Sequence, residues 1–148
     1  MSSIENLNLP NLREIERGLW ASGQPTEAQL RWAATAGVRT VINLCPAGEC
    51  GWDERATAGS LGLAYVSIPI GGAADLGHAA AQALHDALSS CDRPVLLHCG
   101  SANRVGALIA LKSALIDRAP AEAALEHGRA AGLQGLEPAV RALLAGAR

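Results

Sequence analysis

The sequence predicts an α/β domain with a mostly parallel central sheet flanked by helices, followed by a helical C-terminal flank. Short apolar or β-branched runs alternate with helical patterns through residue 117, after which helical patterns run alone. The length of 148 residues suits one domain, which we expect to span residues 1–148. Hydrophobic residues make up 49% of the chain and charged residues 18%, which is typical of a globular protein rather than a disordered one.

The first stretch of the chain predicts two strands around one helix. Residues 1–17 are polar with scattered Leu and Ile, and predict an extended lead-in. "GLWASGQP" (18–25) predicts a short strand that ends in a Gly/Pro turn. Thr26 is the expected N-cap of a helix that runs to about Ala36, because "TEAQ" completes a capping box. The β-branched run "VRTVINL" (38–44) predicts an interior strand.

The middle of the chain repeats this alternation. Asp53 can cap a short helix that ends near Ser60. "LAYVSIPI" (63–70) predicts the next strand, a helix is expected from about 76 to 90, and "VLLH" (95–98) predicts a further strand.

Only helical patterns follow residue 104. The segment "VGALIALKSALI" (105–116) is apolar nearly all round, so we expect a helix buried in the centre of the domain. Pro120 at an N1-like position predicts another helix to about residue 131, and residues 137–147 predict the last.

Charge and composition exclude several function classes. A formal net charge of −2 leaves no basic patch for nucleic acid or a membrane surface. No apolar run reaches the roughly 20 residues that a spanning helix needs. The N-terminal residues show no basic region followed by an apolar one, so we expect no signal peptide and a cytoplasmic location. The four cysteines lack a second Cys/His pair at zinc-ligand spacing, so no metal is expected.

The stretch "VLLHCGSANRVGAL" (95–108) carries the candidate chemistry. An apolar strand ends at His98–Cys99, and Arg104 opens an apolar helix after a loop of four residues. In such a strand–loop–helix, backbone N–H groups converge on an anion and the helix dipole adds positive potential. The planar fork of an arginine suits a tetrahedral oxyanion. The pattern therefore predicts a nucleophilic thiolate beneath a bound oxyanion, suited to in-line attack on phosphorus.

Three stretches resemble the cysteine-dependent protein tyrosine and dual-specificity phosphatase superfamily, and within it the bacterial phosphatases called beta-lactamase hydrolase-like proteins. They are "WASGQPTEAQLRWAATAGVRTVINL" (20–44), "DERATAGSLGLAYVSIPI" (53–70) and "VLLHCGSANRVGAL" (95–108). The resemblance implies a phosphatase-like fold. It also implies hydrolysis of phosphate monoesters, either protein phosphotyrosine or phosphoserine or small esters, through a phosphocysteine intermediate.

The resemblance further implies a role for each residue of the loop. Cys99 would be the nucleophile, Arg104 would bind the phosphoryl group, and His98 would position the loop. Backbone amides would complete the phosphate-binding cradle; they belong to Gly100, Ser101, Ala102, Asn103 and Arg104. The expected ligand is a phosphorylated substrate or free phosphate, with no cofactor.

The general acid that the resemblance implies has several candidates. Relatives place it on a separate loop upstream of the cysteine, and Asp75 in "GGAADLG" stands 24 residues upstream at the carboxyl end of a predicted strand. Asp75 could equally be the N-cap of the following helix. Glu49, Asp53 and Glu54 follow another strand and could substitute, although a cap is the simpler role for Asp53.

Three departures from the superfamily pattern predict slow turnover limited by the second step. The loop has four residues between cysteine and arginine where most relatives have five. Val105 replaces a hydroxyl residue that assists breakdown of the phosphocysteine, and Ala102 replaces a glycine that tolerates positive φ.

Two other functions stay open at this point. A rhodanese-like sulfurtransferase would carry a persulfide on the same cysteine, and a pseudophosphatase of low activity would only bind phosphate or a phosphoprotein. Cys45, at the end of the strand "VINL", could pair with Cys99 on oxidation, although a buried inert thiol is the simpler interpretation.

Overall fold

The sheet is parallel except at one edge. In the computed structural model, which describes residues 3–146, the strands are β1 (Arg13–Glu16), β2 (Leu19–Ser22), β3 (Thr40–Asn43), β4 (Ala64–Ser67) and β5 (Val95–His98). Their spatial order is β1-β2-β5-β3-β4, with only β1 antiparallel to its neighbour. The mostly parallel sheet is therefore confirmed. The lead-in differs from prediction in that residues 13–16 form an edge strand that pairs with β2.

Six helices accompany the sheet. They are α1 (Glu27–Thr35), α2 (Glu54–Ser60), α3 (His78–Ser90), α4 (Asn103–Leu115), α5 (Ala121–Ala131) and α6 (Glu137–Gly146). The Thr26 capping box and the Asp53 cap are both present. The cap proposed for Asp75 is wrong, because Gly77 precedes α3 and Asp75 lies in a 3₁₀ turn. The predicted end of the last helix, Ala147, lies outside the described residues.

Helices cover both faces of the sheet. Val41 and Leu96 pack towards α1 and α2, whereas Ile42 and Leu97 pack towards the four later helices. Burial on both faces explains why the strands read as continuous apolar runs. Helix α4 is central as predicted, with nine of its thirteen residues buried. None of the helices in the described range is both long enough and apolar enough to cross a membrane.

Helices α4 and α5 approach each other through a glycine contact. A Cβ atom added to Gly106 would lie 2.0 Å from the backbone nitrogen of Leu133 and 2.6 Å from the carbonyl oxygen of Gly128. Only glycine allows this spacing, which fixes α4 and therefore the loop at its N-terminus.

The last residue of each of the four parallel strands is polar, and these four residues lie side by side in one row. Strand register places Ser22 beside His98, His98 beside Asn43, and Asn43 beside Ser67. In parallel sheets, ligands bind at this carboxyl edge. Cys99 follows the central strand at the middle of that edge.

Candidate active site

Cys99 lies at the floor of the loop that joins β5 to α4. Its side chain is buried, and its Sγ accepts a hydrogen bond from the Ala102 N–H group at 3.1 Å. Ala102 is the N-cap of α4 with φ of 76°, in the left-handed region that sequence analysis expected an alanine to resist. That conformation costs an alanine about 1 kcal/mol. The four-residue loop therefore closes by straining Ala102, whose Cβ is buried.

Neighbouring segments hold the loop through its carbonyl groups. The backbone N–H of Gln24 donates to the Gly100 carbonyl at 3.0 Å, and the Asn11 side chain donates to the Ser101 carbonyl at 3.0 Å. A Cβ atom on Gly23 would lie 2.6 Å from the same Gly100 oxygen, so only glycine at this position lets the "SGQP" turn lie this close to the loop. These contacts turn the carbonyls outward, which leaves the N–H side of the loop for an anion.

Asn103 fixes the start of α4 through its side chain. Its Oδ1 accepts hydrogen bonds from the backbone N–H groups of Gln134 at 2.8 Å and Leu136 at 3.4 Å. The Asn103 side chain thus contacts the segment between α5 and α6, and only its backbone amide is available to a ligand in the loop.

A buried polar cluster lies beneath the loop. His98 Nε2 lies 2.5 Å from Glu54 Oε2, and both side chains are almost fully buried. Glu54 Oε1 accepts from Gln24 Nε2 at 2.8 Å, and His98 Nδ1 lies 3.4 Å from the Cys99 carbonyl oxygen. Both oxygens of Glu54 are therefore occupied beneath the loop, so this residue is poorly placed to serve as an acid.

The Arg104 guanidinium meets a carboxylate from the loop after β3. Its Nη1 and Nη2 groups donate to Glu49 Oε1 and Oε2 at 2.9 and 2.5 Å, and Nη1 also donates to the Ile70 carbonyl at 2.9 Å. The guanidinium holds the pKa of Glu49 below its ordinary value, and the carboxylate raises the pKa of Arg104. The pair is therefore ionised over the whole physiological range.

The Cys45 thiol contacts the same Glu49 carboxylate. Burial, followed by its contact with Glu49, raises the pKa of this thiol to about 12. All four cysteines of the chain are free thiols. Cys45 is therefore a protonated thiol in this state.

Asp75 lies on the loop that follows β4. Its exposed carboxylate accepts a hydrogen bond from the Gly71 N–H at 2.7 Å and makes none with Cys99 or Arg104. Ile70, which contacts Arg104, begins the same loop. The Asp75 carboxylate is thus hydrogen-bonded to the residue that follows Ile70. The other acid considered, Asp53, caps α2 through the Ala56 N–H at 3.0 Å.

A cavity of about 330 Å³ lies at the carboxyl ends of β3 and β4, where the Glu54 side chain forms part of its lining. Cys45 forms part of its wall, and Trp52 and Tyr65 supply aromatic surface. The Arg55 guanidinium lies 4.9 Å from the centroid of the Tyr65 ring. The residues that the structure describes offer no group of three or more His, Cys, Asp or Glu side chains that could hold a metal ion.

Comparison by sequence finds one protein family. The model of the family described as beta-lactamase hydrolase-like protein, phosphatase-like domain, matches residues 11–116. The beta-lactamase hydrolase-like protein of Xylella fastidiosa (strain Temecula1) is 36% identical over 110 residues, which are 71% of this chain and 25% of that protein. The chain thus spans about a quarter of the length of the curated relatives it matches.

Comparison by structure finds phosphatase folds over nearly the whole chain. A candidate phosphatase of Shewanella putrefaciens CN-32 is 26% identical with a TM-score of 0.77, covering 97% of this chain and 95% of that one. TpbA of P. aeruginosa is 25% identical with a TM-score of 0.71, covering 94% and 86%. A crystal structure of TpbA holds pTyr.

Proposed function

The chain belongs to the family of phosphatase-like domains of beta-lactamase hydrolase-like proteins, and we propose that it hydrolyses phosphate monoesters through a phosphocysteine on Cys99. One observation carries this proposal. The Cys99 sulfur lies at the N-terminus of α4 within hydrogen-bond distance of a loop amide, and the Arg104 side chain flanks the same short loop. A thiol nucleophile with oriented N–H donors and a guanidinium suits phosphoryl transfer.

The first step is attack by the Cys99 thiolate on phosphorus. A bond forms between Sγ and phosphorus as the bond from phosphorus to the leaving oxygen breaks. Arg104 and the amides of the loop hold the three equatorial oxygens, where negative charge is spread in the transition state. We assign to Asp75 the proton that the leaving oxygen receives, since its carboxylate is hydrogen-bonded to Gly71, next to the Ile70 carbonyl that Arg104 contacts.

The second step is hydrolysis of the phosphocysteine. Asp75, now a carboxylate, takes a proton from water as the water oxygen attacks phosphorus, and the bond from phosphorus to Sγ breaks. Val105 is fully buried beside the cysteine loop and carries no hydroxyl that could assist this step. We therefore propose that the second step limits turnover.

Aromatic phosphate esters are the substrate class we propose. The cavity beside Cys45 is lined by residues within 43–55 and 65–67, not by the cysteine loop itself. We propose that its Trp52 and Tyr65 side chains receive the organic group of an ester whose phosphate enters the neighbouring loop. Its volume lies at the lower end of the range for small-molecule sites. The pTyr complex of TpbA is consistent with this class.

The test is one set of assays on wild type and three variants. We expect wild type to hydrolyse 4-nitrophenyl phosphate, Cys99→Ser and Arg104→Ala to lose this activity, and Cys91→Ser, at the end of α3, to keep it. Cyanide-dependent sulfur transfer from thiosulfate, without ester hydrolysis, would instead identify a sulfurtransferase. Phosphate binding with neither activity would identify a binding module.

A further inference from the structure

Tyr65 brings a hydrogen-bond donor to the cavity at the carboxyl ends of β3 and β4. Asn43 Oδ1 accepts a hydrogen bond from the Cys45 N–H at 2.8 Å, so the amide nitrogen of Asn43 donates to Tyr65 Oη at 2.8 Å. The Tyr65 oxygen is therefore the acceptor in this contact, and its own O–H finds no acceptor among residues 3–146. Burial raises the pKa of Tyr65, so the hydroxyl keeps its proton at neutral pH. The cavity wall thus offers an O–H group to a ligand.

Arg55 supplies a cation to the wall of the same cavity. Its guanidinium lies 4.9 Å from the centroid of the Tyr65 ring, a cation–π contact that favours this position. In the part of the chain that the structure describes, Arg55 forms no ion pair and no side-chain hydrogen bond. Its N–H groups are therefore available to an anion. A guanidinium beside a hydroxyl donor is an arrangement that suits a carboxylate.

The two acidic side chains of the cavity lining are already engaged. Asp53 accepts the capping N–H group of α2 at 3.0 Å. Glu54 is 4% exposed, and its two oxygens contact His98 and Gln24. Within the described residues, Arg55 is thus the charged side chain of the lining whose hydrogen-bonding groups have no partner. The cavity therefore favours an anionic group over a cationic one.

The separation between Cys99 and this pair of donors suits a single aryl ester. Cys99 follows β5, β3 is the neighbour of β5, and Tyr65 lies on β4, the next strand. Neighbouring strands lie about 4.8 Å apart, so two strand spacings come to about 10 Å. A phenyl ring with a phosphate at one end and a short carboxylate chain at the other has about this length. One substrate can therefore reach both places.

We propose that the cavity is a carboxylate subsite formed by Arg55 and Tyr65, and that the substrate is an aromatic phosphate ester that also carries a carboxylate. The phosphate would enter the cysteine loop, the ring would contact Trp52, and the carboxylate would accept from the guanidinium and the hydroxyl. An ammonium group in the same place would be repelled by Arg55. This inference deepens the proposed phosphatase function and rests on it.

The first test compares three phenyl phosphates whose para substituent is an ethyl, a carboxyethyl or an aminoethyl group. All three are esters of alkylphenols with nearly equal leaving groups, so differences in kcat/KM report the contacts of the substituent. We expect wild type to prefer the carboxyethyl ester to the ethyl ester by about tenfold, the gain of hydrogen bonds to a charged group. The aminoethyl ester should be the poorest substrate.

Two variants assign this preference to residues. Arg55→Gln should reduce the preference for the carboxyethyl ester to below about twofold, and Tyr65→Phe should reduce it to about threefold. Arg39→Gln is the matched control, because it removes the same charge from an exposed arginine at the opposite, amino end of β3, and it should keep the full preference. Equal kcat/KM for the three esters in wild type, a preference for the aminoethyl ester, or an Arg55→Gln variant with the full preference would each overturn the subsite.

Calorimetric binding to the Cys99→Ser protein gives a second measurement that needs no turnover. We expect the carboxyethyl ester to bind about tenfold more tightly than the ethyl ester, and Arg55→Gln to abolish this difference. Equal affinities would overturn the subsite even where wild type hydrolyses both esters. Wild type that hydrolyses none of the esters, while Cys99→Ser still prefers the carboxyethyl ester, would overturn the phosphatase function alone.

Discussion

Replacing Glu54 with alanine removes the carboxylate that contacts His98 beneath the loop between β5 and α4. The two side chains have relative exposures of 0% for His98 and 3% for Glu54, so water cannot replace the lost partner. Glu54→Ala leaves the His98 Nε2 without an acceptor and removes one of two acceptors from the Gln24 amide.

The magnitude follows from burial. Removing one partner of a buried pair costs about 3–5 kcal/mol, since the remaining group keeps its desolvation penalty. We expect Glu54→Ala to lower the free energy of unfolding by about 4 kcal/mol, which for a domain of this size lowers Tm by about 12 °C. Glu54→Gln keeps an oxygen acceptor within the cluster and should cost about 1–2 kcal/mol.

Urea denaturation followed by circular dichroism measures both variants. Glu27→Ala is the control, because Glu27 forms an exposed pair with Arg31 on α1 and its loss should change stability by less than about 0.5 kcal/mol. A Glu54→Ala protein within about 1 kcal/mol of wild type would refute the reasoning, because it would show that His98 does not depend on this carboxylate.

Three further predictions address the packing of α4 and the two chemical steps. Gly106→Ala places a methyl group 2.0 Å from the Leu133 backbone nitrogen, and should destabilise the fold by at least about 3 kcal/mol by thermal denaturation; wild-type stability would show that α4 and α5 are further apart. Val105→Thr adds a hydroxyl beside the cysteine loop and should speed breakdown of the phosphocysteine in a stopped-flow burst assay, whereas an unchanged slow phase would argue against a missing hydroxyl as its cause. Asp75→Asn should lower kcat/KM, which reports the first step, by about 100-fold for phenyl phosphate and less for 4-nitrophenyl phosphate; equal losses in kcat/KM would exclude Asp75 as the acid.

Local patterns predicted most of the fold. The capping box at Thr26, the apolar run "VLLH" and the all-round apolar helix after Arg104 each express a local physical rule. Strand β1 was missed because its sequence "REIE" is mostly charged, and it becomes a strand only by pairing with β2 at the sheet edge. Burial alternates along the strand, but a single apolar residue, Ile15, is too few to show that period in the sequence.

Long-range partners in the site could not be predicted in the same way. Arg104 pairs with Glu49, which is 55 residues away in the sequence, and His98 pairs with Glu54, which is 44 residues away. These pairs form because β3 and β5 are parallel neighbours whose carboxyl ends share one edge of the sheet. Sequence analysis placed both acids at that edge, but the choice of partner depends on loop conformations that no local pattern specifies.

Rapid-quench mass spectrometry of Cys99 during turnover of 4-nitrophenyl phosphate tests the central claim most directly. We predict that a phosphoryl group accumulates on the peptide containing Cys99 within the first turnover, with one equivalent of 4-nitrophenol released, and that it decays slowly at the steady-state rate. Full turnover with no phosphate on Cys99, or unaltered activity in Cys99→Ser, would contradict the proposed mechanism.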